Sequence, residues 1–237
     1  KEKKVGISIS GYSVIVKKIT LERQSEEKLE RIIKEEAEDH IPFDLDEVNL
    51  DFDILLSDRE YEKVPERGLE GSEQMDIMLV AAKKDVVEEY LRLFEEAELS
   101  PAVLDVEIFA LQNAAELSVD DPGAPYAIID VGAEELSINA VKGGTSLFSR
   151  DASYGGMQIT EAIMGEFGVD FEHAEKIKLG AGRNRQDPQA LERIVGNVVS
   201  MWTREIKRAL AFVNQTYPED TIGEILVSGG SCRIPGF

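Results

Sequence analysis

Tyr126-Ala127-Ile128-Ile129-Asp130-Val131 is a short apolar run that admits one charge near its end, and Gly132 and Ala133 follow it directly. A strand closing on Asp-x-Gly constrains the fold more than any other stretch of the chain. A backbone can approach a phosphate closely only where no side chain intervenes, so Asp-x-Gly at a strand end suits a nucleotide tail and its metal. The same residues also make an ordinary hairpin turn. The rest of the chain decides between these readings.

Downstream, Leu136 to Val141 alternates and Gly143-Gly144 precedes Thr145 to Ser149, which predicts a three-stranded meander with turn chemistry at both corners. Gly155-Gly156 opens a predicted amphipathic helix over Met157 to Phe167, with Ile159, Ile163 and Met164 inward. Two glycines at a helix start expose backbone N–H groups at the positive end of the dipole, where an anion is favoured. Phe171 to Lys178 reads as a second helix, with Glu175 and Lys178 three residues apart on one face, either a surface ion pair or a pair able to meet ribose hydroxyls. Lys178 to Gln186 is a basic, glycine-bearing loop. Asp187 and Pro188 then supply the cap and first turn of a long helix. Its buried stripe is expected to run through Leu191, Ile194, Val198, Met201, Trp202, Ile206, Ala209 and Phe212 or Val213. Ile222 to Val227 is a further strand, and Ser228-Gly229-Gly230-Ser231 a sharp turn at its end, a second place where a ligand could approach backbone.

The first hundred residues read as a small α+β unit in the order β-β-α-β-β-α. Val5 to Ser10 and Tyr12 to Ile19 are two strands separated by Gly11, a hairpin signal. Ser25 caps a helix carrying Leu29, Ile32, Ile33, Ala37 and Ile41 at helical spacing, and Pro42 stops it. Val48, Leu50, Phe52 and Ile54 alternate with Asn49, Asp51 and Asp53, a half-buried strand with an acidic outer face. Ser57 to Gln74 is an aperiodic polar loop, Met75 to Ala82 a strand, and Lys84 to Ala97 a helix with Val86, Val87, Tyr90, Leu91 and Phe94 inward. Ala102 to Val106 is a short strand, and Glu107 to Leu117 a helix. No catalytic constellation falls in the first hundred residues.

Composition excludes several classes of function. A formal net charge of -21 repels nucleic acid and anionic lipid. No apolar run approaches the ~20 residues that span a bilayer. Cys232 is the only cysteine, so a disulfide within the chain is impossible, a lone thiol argues against a thiolate zinc site, and a reducing compartment fits. His40 and His173 are the only histidines and lie far apart in sequence, which argues against histidine-based catalysis.

Asp130-Val131-Gly132, Gly155-Gly156, Glu175-x-x-Lys178 and Val227-Ser228-Gly229-Gly230, in that order, resemble the second phosphate motif, helix start and adenosine motif of the actin-like ATPases. In the first half, Ser10-Gly11, Val14 to Ile19, Glu36-Ala37-Glu38, Ile41-Pro42-Phe43, Asp46-Glu47-Val48, Leu79 to Lys84 and Asp105-Val106-Glu107 look like the PilM family of type IV pilus assembly proteins, which are FtsA-like. The resemblance covers nearly the whole chain. It implies an α/β actin-like ATPase fold (a ribonuclease H-like lobe) with an inserted FtsA-type α+β subdomain. Residues 1–103 would hold that subdomain with adjoining first-lobe elements, and residues 104–237 the nucleotide-holding second lobe. The N-terminal part of the first lobe is expected to be missing from the chain.

Function by resemblance is a cytoplasmic scaffold, peripheral to the inner membrane through its partner. It would bind ATP with Mg2+ and grip the N-terminal cytoplasmic tail of a PilN-like inner-membrane protein in a groove beside the inserted subdomain. Contacts with other pilus assembly components are implied and a homo-oligomer is allowed; neither nucleic acid nor membrane insertion is expected. Asp130 would hold the metal through water, and the amides of Gly132 and Ala133 would face the phosphates. Gly155 and Gly156 would lie on the ribose or phosphate side, Glu175 and Lys178 would bracket the adenosine, and Gly229, Gly230 and Ser231 would pack on the base. Two departures stand out. Glu134 and Glu135 occupy positions where the family carries small and hydroxyl residues, and each repels a triphosphate by ~1 kcal/mol at surface dielectric. The upstream first phosphate loop is also expected to be absent, leaving half a phosphate clamp, so binding is favoured over hydrolysis. The rival expectations are a small-molecule kinase or phosphatase of the same superfamily and an FtsA-type division protein.

Overall fold

The structure is a computed structural model that describes residues 3–23, 26–55, 74–180 and 187–237. The Ser25 cap, the polar loop up to residue 73 and residues 181–186 of the basic loop lie outside the described residues. Contacts divide the chain into two compact units, Lys1–Asn113 and Ala114–Phe237.

In the first unit the strands are β1 (Lys4–Ile9), β2 (Val14–Glu22), β3 (Val48–Leu55), β4 (Gln74–Lys83) and β5 (Ser100–Val106). The helices are α1 (Glu26–His40), α2 (Lys84–Glu96) and α3 (Glu107–Ala115), the last crossing the unit boundary. The element order is the one expected, but β1 and β2 are not a hairpin. β1 pairs in parallel with β5, Ile9 opposite Val106, whereas β2 joins an antiparallel sheet in the order β2-β4-β3, Ile19 opposite Ile77. Gly11, at φ 81°, starts a single 3-10 turn over Gly11–Ser13 that carries the chain from one sheet to the other. Local turn chemistry cannot reveal a partner about ninety residues away.

α1 lies on the three-stranded sheet because its periodic Leu29 and Ile33, both fully buried, meet Ile19, Met75, Ile77 and Leu79. Further along, Ala37 and Ile41 close on Val48 and Ala81. β3 keeps Asn49, Asp51 and Asp53 exposed, the acidic outer face its alternation predicts. The expected inward face of α2 is only partly covered: Val86, Val87 and Phe94 are half-buried, but Tyr90 is 38% and Leu91 42% exposed. The helix packs against β4 and β5, where Val87 joins Val14, Ala82 and Val106, and the rest of its apolar face is left uncovered by them.

On β2 and β4, Asp76 accepts from Thr20 Oγ1 at 2.7 Å and pairs with Lys18 Nζ at 2.8 Å. Partial burial pushes this carboxyl upward, but the hydrogen bonds from Lys18 and Thr20 and the Lys18 charge outweigh it and leave the pKa below its ordinary 3.8. A depressed carboxyl contributes stability that is present above its unfolded value and is lost as pH falls through the folded one. Asp76→Asn is therefore expected to flatten the acid limb of the stability curve. The urea unfolding midpoint of the variant, measured from about pH 6 to about pH 3, should fall less steeply than that of the parent; equal slopes would refute the pairing.

The second unit is built on a four-stranded sheet in the order β8-β7-β6-β9, from β6 (Tyr126–Val131), β7 (Leu136–Lys142), β8 (Thr145–Ala152) and β9 (Glu224–Ser228). β6 to β8 form the predicted meander, and β9 runs parallel to β6. Central β6 is buried on both faces, which accounts for its unbroken apolar run. Ile129 and Val131 meet α4 (Gly156–Phe167), α5 (Phe171–Lys178) and α6 (Pro188–Thr216) through Ile159, Ile163, Ile177, Val198 and Trp202. Tyr126 and Ile128 form the opposite core with Val119 and Val141. Asp187 caps α6 by accepting from the Gln189 amide at 3.0 Å, with Pro188 in the first turn as the sequence predicts. Near the end of α6, Val213 is the buried member of the stripe. Phe212 is 51% exposed and rests against Phe148 at 5.1 Å between ring centres.

Candidate functional site

Four segments expected to form a ligand site converge at one end of the second unit's sheet. Asp130 stands at the end of β6, half-buried, and its Oδ1 accepts from Ser228 Oγ at 2.6 Å across the β6–β9 pairing. Gly132 begins the turn to β7. Its amide donates to Glu135 O at 2.8 Å, while its carbonyl accepts from Ser231 Oγ at 2.7 Å and from the Gly156 amide at 3.1 Å. Ala133 O accepts from the Met157 amide at 2.7 Å. The turn after β6 is thus tied to the start of α4 by backbone hydrogen bonds and to the turn after β9 by the Ser231 hydroxyl.

Glycine makes this approach feasible. A Cβ on Gly155 would stand 2.4 Å from Ala133 O, and one on Gly156 would stand 2.4 Å from Ser231 Oγ and 3.5 Å from Lys178 Nζ. Gly229 has φ +90°, and a Cβ there would fall 2.3 Å from Val131 O. A Cβ on Gly230 would meet nothing within 4 Å. The turn after β9 therefore shows one glycine to the sheet and another to open space.

Glu175 and Lys178 sit on one face of α5, as their spacing predicts, and are held more tightly than a surface pair. Their side chains are 28% and 12% exposed, with Lys178 Nζ 2.5 Å from Glu175 Oε1. Lys178 also reaches Gly156 O at 3.3 Å and Thr160 Oγ1 at 2.8 Å, and Thr160 contacts Glu175 Oε1 in turn. Burial pushes the Glu175 carboxyl up, but hydrogen bonds from Lys178 and Thr160 together with the Lys178 charge hold it below its ordinary 4.5. A half-buried carboxylate kept ionised can accept hydrogen bonds from a neutral donor at neutral pH.

The geometry alters two of the assigned backbone roles. Gly132 and Gly156 engage their amides within the fold, so each contributes space rather than a free donor. Among the described residues the Ala133 amide donates to nothing, and it remains available beside Asp130. Glu134 is exposed and Glu135 half-buried on the same turn. Thr160 and Ser228 had no role assigned from sequence. Thr160 lies one helical turn after Gly156, a spacing that places it on the same face, and Ser228 stands directly opposite Asp130 in the strand register.

For a metal, the described residues hold no group of three or more His, Cys, Asp or Glu in reach of one another. One carboxylate at a strand end does suit a hard cation that keeps its waters and shares phosphate oxygens, the usual habit of Mg2+. Gly230 beside open space and the ionised Glu175 suit a nucleoside on the other side.

The family model for type IV pilus assembly protein PilM matches residues 1–237. The chain belongs to the PilM family. Among solved structures it is similar to a chain of a PilM-PilN type IV pilus biogenesis complex, at 28% identity and TM-score 0.81, covering 99% of this chain and 64% of that one. It is also similar to MreB5 of Spiroplasma citri bound to ADP, at 16% identity and TM-score 0.50, covering 64% of this chain and 55% of that one. The fold is accordingly α/β of the actin-like kind, and the chain spans about two thirds or less of each of these relatives' lengths.

Proposed function

We propose that this chain holds ATP with Mg2+ in its second unit and docks the N-terminal cytoplasmic tail of a PilN-like inner-membrane protein, as part of a scaffold for type IV pilus assembly. The observation that carries the nucleotide half is the meeting of the Asp130 turn, Gly155-Gly156, Glu175–Lys178 and Gly229–Ser231 on neighbouring atoms. In this reading Asp130 holds the cation through water, the Ala133 amide faces a phosphate, Glu175 meets the ribose and Gly229-Gly230 lies against the base. Bound Mg2+ supplies positive charge that offsets the phosphates and the neighbouring Glu134. Residues 1–103 contain the inserted subdomain with adjoining first-lobe elements and offer apolar faces to the peptide, and residues 104–237 form the nucleotide-holding lobe.

The partner half is supported by the PilM-PilN complex, whose aligned chain is 28% identical to this one over the matched part. Such a scaffold works on the cytoplasmic face of the inner membrane; no described helix is long and apolar enough to cross a membrane. Nucleotide acts as a structural ligand that orders the lobe, because the carboxylates of Glu134 and Glu135 beside the turn oppose charge build-up on a phosphate. Calorimetric titration of the full-length protein is expected to show binding of ATP with Mg2+ and of a PilN-like tail peptide, the latter in the micromolar range or tighter. No heat with the peptide, together with phosphate transfer or release on a small metabolite, would replace the scaffold by an enzyme.

A further inference from the structure

Thr160 is completely buried on α4 and joins the Glu175–Lys178 pair as a third member. An ammonium carries three N–H donors. Among the described residues Lys178 Nζ lies 2.5 Å from Glu175 Oε1, 2.8 Å from Thr160 Oγ1 and 3.3 Å from Gly156 O, three acceptors that tie the ammonium to the fold. The Thr160 hydroxyl has one proton and two nearby acceptors, Glu175 Oε1 and, at 3.2 Å, Gly156 O. The carboxylate takes it, because a charge-assisted hydrogen bond is the stronger. Glu175 Oε1 therefore accepts twice, and among the described residues Oε2 accepts from nothing. An ionised carboxylate can only accept, so whatever meets Oε2 must donate.

We infer that Thr160 is a positioning residue: by bridging Lys178 and Glu175 it fixes the carboxylate so that Oε2 alone is offered to a ribose hydroxyl, while Lys178 acts through its charge and not by contact with the sugar. This rests on the nucleotide reading above. It gives the two residues expected to bracket the adenosine, Glu175 and Lys178, different tasks. Without the hydroxyl, Lys178 loses one acceptor, Glu175 loses one donor, and the carboxylate is free to rotate about its χ angles between both oxygens.

The test is a titration of the full-length protein with ATP, 2′-deoxyATP and 3′-deoxyATP in the presence of Mg2+. The parent is expected to prefer ATP over at least one deoxy analogue by about 10-fold or more, the worth of one hydrogen bond to a charged group. Thr160→Val should reduce that preference to about 2-fold, and Thr160→Ser, which keeps the hydroxyl, should restore it. If the valine variant does not fold, Thr160→Ala carries the same expectation. Preference retained in the valine or alanine variant, preference not restored by serine, or a parent that binds ATP without any preference would overturn the inference alone. A parent that binds no ATP would overturn it together with the nucleotide reading.

Discussion

Replacing Gly229 with alanine is expected to destabilise the second unit by about 3 kcal/mol or more, read as a lower urea midpoint at unchanged slope. Two independent terms act in the same direction. At φ +90° an L side chain is strained wherever it points, and the new Cβ would stand 2.3, 2.5 and 2.7 Å from Val131 O, C and N. Those three atoms belong to the backbone of β6 and cannot turn aside as a side chain could. Strand β9 would have to move from β6, loosening the Ser228–Asp130 hydrogen bond that orients the carboxylate. Gly155→Ala isolates the space term, since that residue is extended at φ -178° yet its Cβ would lie 2.4 Å from Ala133 O. Gly230→Ala is the control, with nothing within 4 Å and an expected change within about 0.5 kcal/mol. Equal midpoints for the Gly229 and Gly230 variants would refute the close approach of the two strand ends.

Motifs written within a few residues were legible in the sequence. The Asp130 turn, the Gly155-Gly156 helix start, the Glu175–Lys178 spacing and the Asp187-Pro188 cap all depend on local stereochemistry, and each has the geometry its residues dictate. Relations set by partners far along the chain were not legible. β1 looks like half of a hairpin until β5 is known to lie beside it, and no turn residue carries that information. The periodicity of α2 identifies an apolar face but not how much surface the strands below can cover, hence the exposed Tyr90 and Leu91. The same holds within the site. A glycine pair before a helix suggests free amides, yet whether they meet a ligand or a neighbouring carbonyl depends on the turn from Gly132 to Glu135 and on Ser231, about twenty to seventy-five residues away. Thr160 was overlooked for the complementary reason: a threonine within a helix has no motif, and its role emerges only once α5 brings Glu175 and Lys178 alongside.

Trp202→Ala is expected to lower stability by about 4 kcal/mol, the cost of emptying a large, fully enclosed site. Trp202 is 0% exposed in the core shared by α4, α5, α6 and the inner face of β6, and it meets the Phe237 ring edge-on at 5.9 Å. Its indole Nε1 donates at 3.2 Å to Gln158 Oε1, in the first turn of α4 just beyond Gly156. The tryptophan thereby fastens the long α6 to the end of α4 that meets the Asp130 turn. Trp202→Phe separates volume from polarity. It keeps most of the aromatic bulk but leaves the Gln158 oxygen without its donor, for an expected loss of about 1–2 kcal/mol. A tryptophan in a site of this kind could instead stack on a bound base, and the two roles predict opposite patterns. A stacking residue would lose nucleotide affinity on replacement by alanine while the urea midpoint of the ligand-free protein stayed in place. Burial at 0% requires the reverse: the midpoint falls without any ligand present, and nucleotide affinity measured where the variant is still folded changes only as far as Gln158 and the start of α4 are displaced.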